Sequence, residues 1–205
     1  MPCLLFMLTL HPNHQKYNMP QTLHIAIIGG GAAGFFAAIE AKRNFPHADI
    51  TIFEKNSKVL AKVEITGGGR CNLTNSFDEI SDLKQAYPRG HKLMKRLFKR
   101  FDYQHAFNWF EENGVPLVTQ EDQCVFPQSQ DSRSIIDCLV NTAKRLGVKI
   151  QCNHLLTAIT ELEDERLLLD FKVSKGNLSG ASSASHPVSE IRQIAFHRVA
   201  ITTGG

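Results

Sequence analysis

Three closely spaced glycines, Gly29, Gly31 and Gly34, stand between an apolar run of strand type, Ile25–Ile28, and an alanine-rich run of helix type that begins at Ala32 and Ala33. This G-x-G-x-x-G spacing suits phosphate recognition, and each glycine has its own task. Gly29 turns the chain sharply out of the strand, Gly31 lets a pyrophosphate approach the backbone, and Gly34 lets helix and strand pack closely. The first turn of the helix then offers free N–H groups and a partial positive charge to the phosphates. Downstream, Asp49–Phe53 forms a second apolar run that ends on Glu54. A carboxylate there accepts hydrogen bonds from adenosine ribose hydroxyls and repels a 2′-phosphate. A glycine-rich turn without a ligand is the plain alternative. Strand, glycines, helix and terminal acid agreeing in sequence weigh against it.

The elements that must position these residues follow from spacing and punctuation. The first helix is predicted over Ala32–Asn44, with Pro46 blocking its continuation. Lys55–Asn75 is predicted to be a long loop, rich in glycine, amide and hydroxyl groups, and a loop of that length inside a domain is often functional. Helices are expected through residues 76–114. In one, Leu93, Met94, Leu97, Phe98 and Phe101 share a face opposite Lys92, Lys95, Arg96, Lys99 and Arg100. That basic face is read as solvated, with nucleic-acid binding as the alternative. A second helix over Asp102–Asn113 is anchored in the core by Phe107, Trp109 and Phe110 and stopped by Gly114. Short strands near Pro116–Thr119 and Cys124–Phe126, a helix over Arg133–Leu146 closed by Gly147, and a strand at Val148–Gln151 come next. That strand is expected to join the parallel sheet. His154–Thr160 and Arg166–Val173 should form a hairpin, with Leu167, Leu169, Phe171 and Val173 alternating along its second arm. Ser174–Glu190 reads as a flexible Ser/Gly-rich loop.

The combination of Gly29–Gly34, Glu54, Lys62 and the block Gly67-Gly68-Gly69-Arg70-Cys71-Asn72-Leu73-Thr74-Asn75 resembles the YhiN/BaiN-like flavoproteins. These bacterial FAD-dependent oxidoreductases are often labelled aminoacetone oxidase family FAD-binding enzymes. Their segment runs approximately S-G-x-G-R-C-N-x-T-N, and Thr66 stands where the small residue is expected. The resemblance covers Thr22 to Gly205. It implies an α/β, Rossmann-like FAD-binding domain of the glutathione-reductase type, with a β-meander over the sheet near the adenine. It also implies FAD as cofactor, with NAD(P)H or an organic substrate as hydride source, and Arg70, Cys71 and Asn72 beside the flavin. Arg70 is then a candidate to stabilise negative charge on the reduced flavin or its phosphates, against the reading of a plain surface Arg. The closing run to Thr203, Gly204 and Gly205 resembles the family's V-x-A-T-G-G, where glycines approach the cofactor. Around Gln123–Ser129 the family has G-R-V-F-P-x-S, and the Gly-Arg pair is absent here. Cys71 has no second cysteine close in sequence for a flavin-linked disulfide. A packing or backbone-positioning role is the first reading and a redox nucleophile the alternative.

Composition sets outer limits. A chain of 205 residues with 42% hydrophobic and 21% charged content can bury a core, and is not of the disordered class. A net charge of +3 is too mild to indicate nucleic acid, and no apolar run approaches the roughly eighteen residues needed to span a bilayer, so neither nucleic acid nor membrane is expected as a partner. Five cysteines without a C-x-x-C pair fit reduced thiols and a cytoplasmic setting. Residues 1–18 are expected to be a disordered, dispensable extension, and 19–205 the dinucleotide-binding domain. No metal site and no general acid or base can be named, and the substrate stays unknown. The family runs to about twice this length, so the chain is expected to be a truncated, incomplete enzyme with weak FAD retention, exposed apolar surface and little turnover. A nicotinamide-dependent dehydrogenase and a catalytically silent nucleotide-binding fragment are the alternatives.

Overall fold

The computed structural model describes residues 22–174 and 189–204. The expectations for residues 1–18 and for most of the 174–190 loop lie outside the described residues. In chain order the elements are β1 (His24–Ile28), α1 (Ala32–Asn44), β2 (Asp49–Phe53), α2 (Ala61–Ile65), a 3-10 turn (Thr66–Gly69), β3 (Thr74–Asn75), α3 (Leu83–Ala86), α4 (His91–Phe98) and α5 (Tyr103–Glu112). They continue with β4 (Leu117–Thr119), β5 (Cys124–Pro127), α6 (Arg133–Arg145), β6 (Lys149–Gln151), β7 (His154–Glu161), β8 (Leu167–Ser174), β9 (Ser189–Phe196) and β10 (Arg198–Ile201). The chain divides into two compact units, residues 61–142 forming one and the flanking segments the other.

The flanking unit holds a parallel sheet in the order β10-β1-β2-β6. Isoleucines dominate its central strands, as expected where both faces of a parallel sheet are covered. Successive side chains of a strand point to opposite faces. Ile25, Ile27, Ile50 and Ile52 share one face and are buried, as are Phe35, Ala38 and Ile39 of α1. Ala26, Ile28 and Phe53, on the other face, form a cluster with Leu169, Phe171 and Phe196 from the antiparallel sheet β7-β8-β9. Phe53 stacks on Phe171 at 4.3 Å between ring centroids and meets Phe196 edge-on at 5.7 Å. The meander therefore grips the end of β2, one residue before Glu54.

The first helix, β2 and the parallel pairing of β6 appear where the sequence placed them. The hairpin is a three-stranded meander, because Ser189–Phe196 adds a strand along the whole of β8. Ser174, Ser189 and Glu190, expected in a loop, lie in strands. Exposed apolar side chains are present, Ile65 at 73% and Ile191 at 61% being the largest examples.

In the 61–142 unit, the expected Lys55–Asn75 loop proves partly structured, holding α2, the 3-10 turn and β3. The 76–114 segment carries helices only from Leu83 onward. Asp102 caps α5 through a capping box with His105, and Gly114 follows in the left-handed conformation at φ 84°. Trp109 and Phe110 are buried, as read from the sequence, but Leu93 is 45% exposed and does not join the apolar face of α4. At a helical period it lies on the border of that face, next to Arg100.

At the N-terminal end of the parallel sheet, His197 Nδ1 accepts the His24 backbone N–H at 3.0 Å, and the His197 N–H donates to the His24 carbonyl at 2.9 Å. The two rings stack at 5.5 Å. Burial, and then the neighbouring His24, Arg166 and Arg198, push the His197 pKa down, with Asp164 acting the other way. A depressed histidine favours the unfolded state once that state takes up the proton, so its contribution is complete above pH 6.5 and is lost as pH falls below it. Urea midpoints of the wild type should therefore drop between about pH 7.5 and 5.5 more steeply than those of His197→Asn. Phe171→Ala should cost about 3–5 kcal/mol in the same assay, because it empties the centre of the aromatic cluster.

Candidate cofactor site

The glycine turn sits between β1 and α1, and three separate constraints shape it. Gly29 has φ 115°, and a Cβ there would lie 2.8 Å from the Thr202 carbonyl oxygen. A Cβ on Gly34 would overlap the Gly29 carbonyl oxygen and stand 2.9 Å from Thr202 Oγ1. Gly31 is different. Its φ of −88° is open to any residue, and apart from its chain neighbours no atom of the described residues lies within 4 Å of where its Cβ would be. Nothing among the described residues demands glycine at 31. Directly beside it, α1 begins without a side-chain cap and with no acid in its first turn. Its first internal bond runs from Phe35 N–H to the Gly31 carbonyl at 3.0 Å, so the N–H groups of Ala32, Ala33 and Gly34 have no intrahelical acceptor. An anion is the natural partner for such a helix start.

Glu54 lies at the end of β2, and its carboxylate is fixed. Oε2 accepts the Gly30 N–H at 2.8 Å, while Oε1 accepts the Asn56 N–H at 2.9 Å and Asn56 Nδ2 at 2.8 Å. A carboxylate offers about four acceptor positions. Three are taken, leaving one for a hydroxyl. The backbone around Glu54 is pinned as well, with its N–H on the Gln151 carbonyl at 2.9 Å and its carbonyl accepting the His154 N–H at 2.8 Å.

Two residues of this unit escaped the sequence reading. Thr202, one residue before the expected Thr203, donates its hydroxyl to the carbonyls of Ile28 and Gly29 at 3.0 and 3.1 Å. Gly30 has a Cβ position only 2.8 Å from Val59 Cγ1 and 3.0 Å from Glu54 Cβ, so any larger residue would have to displace Val59 or Glu54. A hydroxyl at the end of a strand about to pair beside β1 was the available signal for Thr202. Thr203 and Gly204 are exposed at the end of β10.

The second group of expected site residues belongs to the 61–142 unit. Lys62 is exposed on α2. Gly67, Gly68 and Gly69 have φ of 59°, 68° and 84°, a left-handed run that only glycine adopts without strain. Arg70 follows, and its guanidinium carbon sits 4.2 Å above the Phe126 ring. Arg70 Nε donates to the Gly67 carbonyl at 3.2 Å and Nη1 to Gln130 Oε1 at 3.2 Å. Phe126 and Gln130 were not foreseen as its supports. Ser132, buried, donates its hydroxyl to the Glu64 carbonyl at 3.0 Å and its N–H to the Gly69 carbonyl at 2.9 Å, bracing the block from far along the chain. Asn72 Nδ2 contacts Cys124 Sγ at 3.3 Å.

Cys71 is buried with φ 62°, and its N–H donates to the Thr66 carbonyl at 3.0 Å. Burial pushes its thiol up, and a hydrogen bond with the Thr66 side chain offsets this only in part. The thiol form therefore persists at neutral pH, which suits packing and opposes nucleophilic use. The four described cysteines are all free. Gln123, where the family has glycine, keeps the left-handed conformation at φ 64°, and its side chain accepts from Ser76 Oγ at 2.6 Å.

This geometry can be set against known proteins. A family model described as the HI0933-like protein Rossmann domain matches residues 23–184. The chain belongs to that family. The likeness drawn from the Gly67–Asn75 block is thereby borne out, and with it a Rossmann-type fold of the flavin-dependent oxidoreductases. Among curated relatives, the 3-dehydro-bile acid delta(4,6)-reductase of Clostridium scindens is 32% identical over 126 residues, covering 62% of this chain and 30% of that protein. The ribosomal RNA dihydrouridine synthase of Haemophilus influenzae is 24% identical over 147 residues, covering 72% and 35%. The chain thus spans about a third of the length of the curated relatives it matches. The 3-ketosteroid-delta4-(5alpha)-dehydrogenase of Rhodococcus jostii RHA1 shares the fold with a TM-score of 0.55 at 16% identity, over 87% of this chain and 45% of that one.

Two substitutions separate the structural glycine from the ligand-facing one. Gly34→Ala should destabilise by several kcal/mol, since a backbone oxygen blocks the methyl group. Gly31→Val should leave the urea midpoint nearly unchanged, because its side chain enters open space.

Proposed function

We propose that this chain is the FAD-binding part of a flavin-dependent oxidoreductase. The observation that carries the reading is the open space beside Gly31 together with the uncapped start of α1 and the fixed carboxylate of Glu54. In this reading the N–H groups of Ala32, Ala33 and Gly34 hold the pyrophosphate. Gly29 and Gly34 bring the helix close enough to do so, with Thr203 and Gly204 alongside at the end of β10. Glu54 accepts a ribose hydroxyl with its remaining acceptor position. By the resemblance, Lys62 and the Gly67–Asn75 block are flavin contacts too; taken by itself, the 61–142 unit offers there the positive charge of Arg70, oriented by Phe126 and Gln130. When bound, FAD accepts hydride at its ring system, a capacity no side chain has. NAD(P)H or an organic substrate is the donor in this reading. The free thiols among the described residues support a reducing compartment such as the cytoplasm.

The names of the relatives put two substrate classes before this site, a steroid-like ring system and a base within RNA. Titration decides the cofactor. FAD added to the purified chain should show saturable quenching of flavin fluorescence, and NAD should not compete at equal concentration. Glu54→Gln should weaken FAD binding by about 1–3 kcal/mol, the scale of a hydrogen bond to a charged acceptor. Saturable NAD binding without FAD binding would favour the nicotinamide-dependent alternative and overturn this reading.

A further inference from the structure

Between Asp82 and Asp102 the sequence places Lys84, Arg89, Lys92, Lys95, Arg96, Lys99 and Arg100, and no acid. That stretch carries seven positive charges in a chain whose net charge is +3, so the remainder is negative. A modest whole-chain average conceals a concentrated patch. The structure shows that all seven side chains are exposed. Among the described residues none of them forms an ion pair.

Their arrangement is that of a single surface. At 100° per residue, Lys95, Lys99, Lys92, Arg96 and Arg100 fall in succession over an arc of about 140°. From Lys92 to Arg100 the face runs about 12 Å, the span of roughly three to four phosphates along one strand. The opposite side of α4 is committed to the protein interior. Met94 is buried, Leu97 and Phe98 are half-buried, and the Phe98 ring packs 5.6 Å from Phe77 and 6.1 Å from Tyr87. Only Leu93 offers exposed apolar area beside the charges. A helix that lies in a membrane surface needs its apolar face free for lipid. Here that face is already used, which favours phosphate recognition in water over a lipid surface.

We propose that the basic side of α4, with Arg89 at its approach, binds the phosphate backbone of RNA. This departs from the expectation of no nucleic-acid partner, which rested on the average charge and on reading this basic face as solvated. It goes beyond the flavin reading by selecting between the two substrate classes, and the choice of RNA over another polyanion rests on that reading. The patch itself does not.

Fluorescence anisotropy with an end-labelled RNA hairpin of about 20 nucleotides tests it on the full chain without added flavin. The wild type should bind at low salt, and the logarithm of its affinity should fall with log salt at a slope of roughly −2 to −3.5, as for three to four neutralised phosphates. The triple variant Lys92→Gln, Lys95→Gln, Arg96→Gln should lose at least about tenfold in affinity with an unchanged melting temperature. Should it fail to fold, Arg89→Gln combined with Lys99→Gln and Arg100→Gln serves the same purpose. Undiminished RNA binding by a folded triple variant would overturn the proposal. Displacement of the RNA by polyglutamate at equal charge would do the same, as would binding to phosphatidylserine vesicles in preference to RNA. RNA binding by a chain that takes no FAD would keep this inference and remove the flavin reading, and the reverse result would do the opposite.

Discussion

The contact on which the rest depends is the one between the Gly29 carbonyl and the bare Cα of Gly34. No side chain, not even a methyl group, fits between them. That closeness allows α1 to start directly beyond the end of β1, so its unpaired N–H groups face the same end of the sheet as Glu54. Thr202 fastens the arrangement by donating to the Ile28 and Gly29 carbonyls, which ties β10 into the turn. The parallel sheet, the helix start and the acid are thus coupled through one tight corner, whose left-handed Gly29 no other residue could occupy without strain.

The second requirement is that the end of β2 does not move. Phe53 is held between Phe171 and Phe196 of the meander, and Glu54 is bonded on both sides of its backbone and at both carboxylate oxygens. Such preorganisation keeps the acceptor in place before any ligand arrives, which lowers the ordering cost of binding. In the 61–142 unit, Arg70 is held in a similar manner by an aromatic face and an amide.

What could be read from the sequence was what is decided locally. The bounds of α1 and β2 follow from glycine, proline and isoleucine patterns, and the left-handed stops at Gly114 and Gly147 follow from residue type. The glycine fingerprint and the Gly67–Asn75 block were legible because their conformations are set within a few residues. Partners far along the chain were not legible. Thr202 acts on a turn 173 residues away, Gln130 on an arginine 60 residues away, and Ser132 on a carbonyl 68 residues away. β9 was missed because Arg192 and Gln193 interrupt its apolar alternation, and its pairing with β8 is decided by the meander rather than by its own composition. Short helices such as α2 lack enough turns to show a period, so that stretch read as loop.

The central claim is that Gly31 is glycine for a ligand and not for the fold. The direct measurement is a calorimetric titration of FAD into the wild type and into Gly31→Val under identical conditions. The account predicts saturable binding to the wild type, and its loss in a variant whose circular dichroism and melting temperature are those of the wild type. Equal FAD affinity in the two proteins would contradict it.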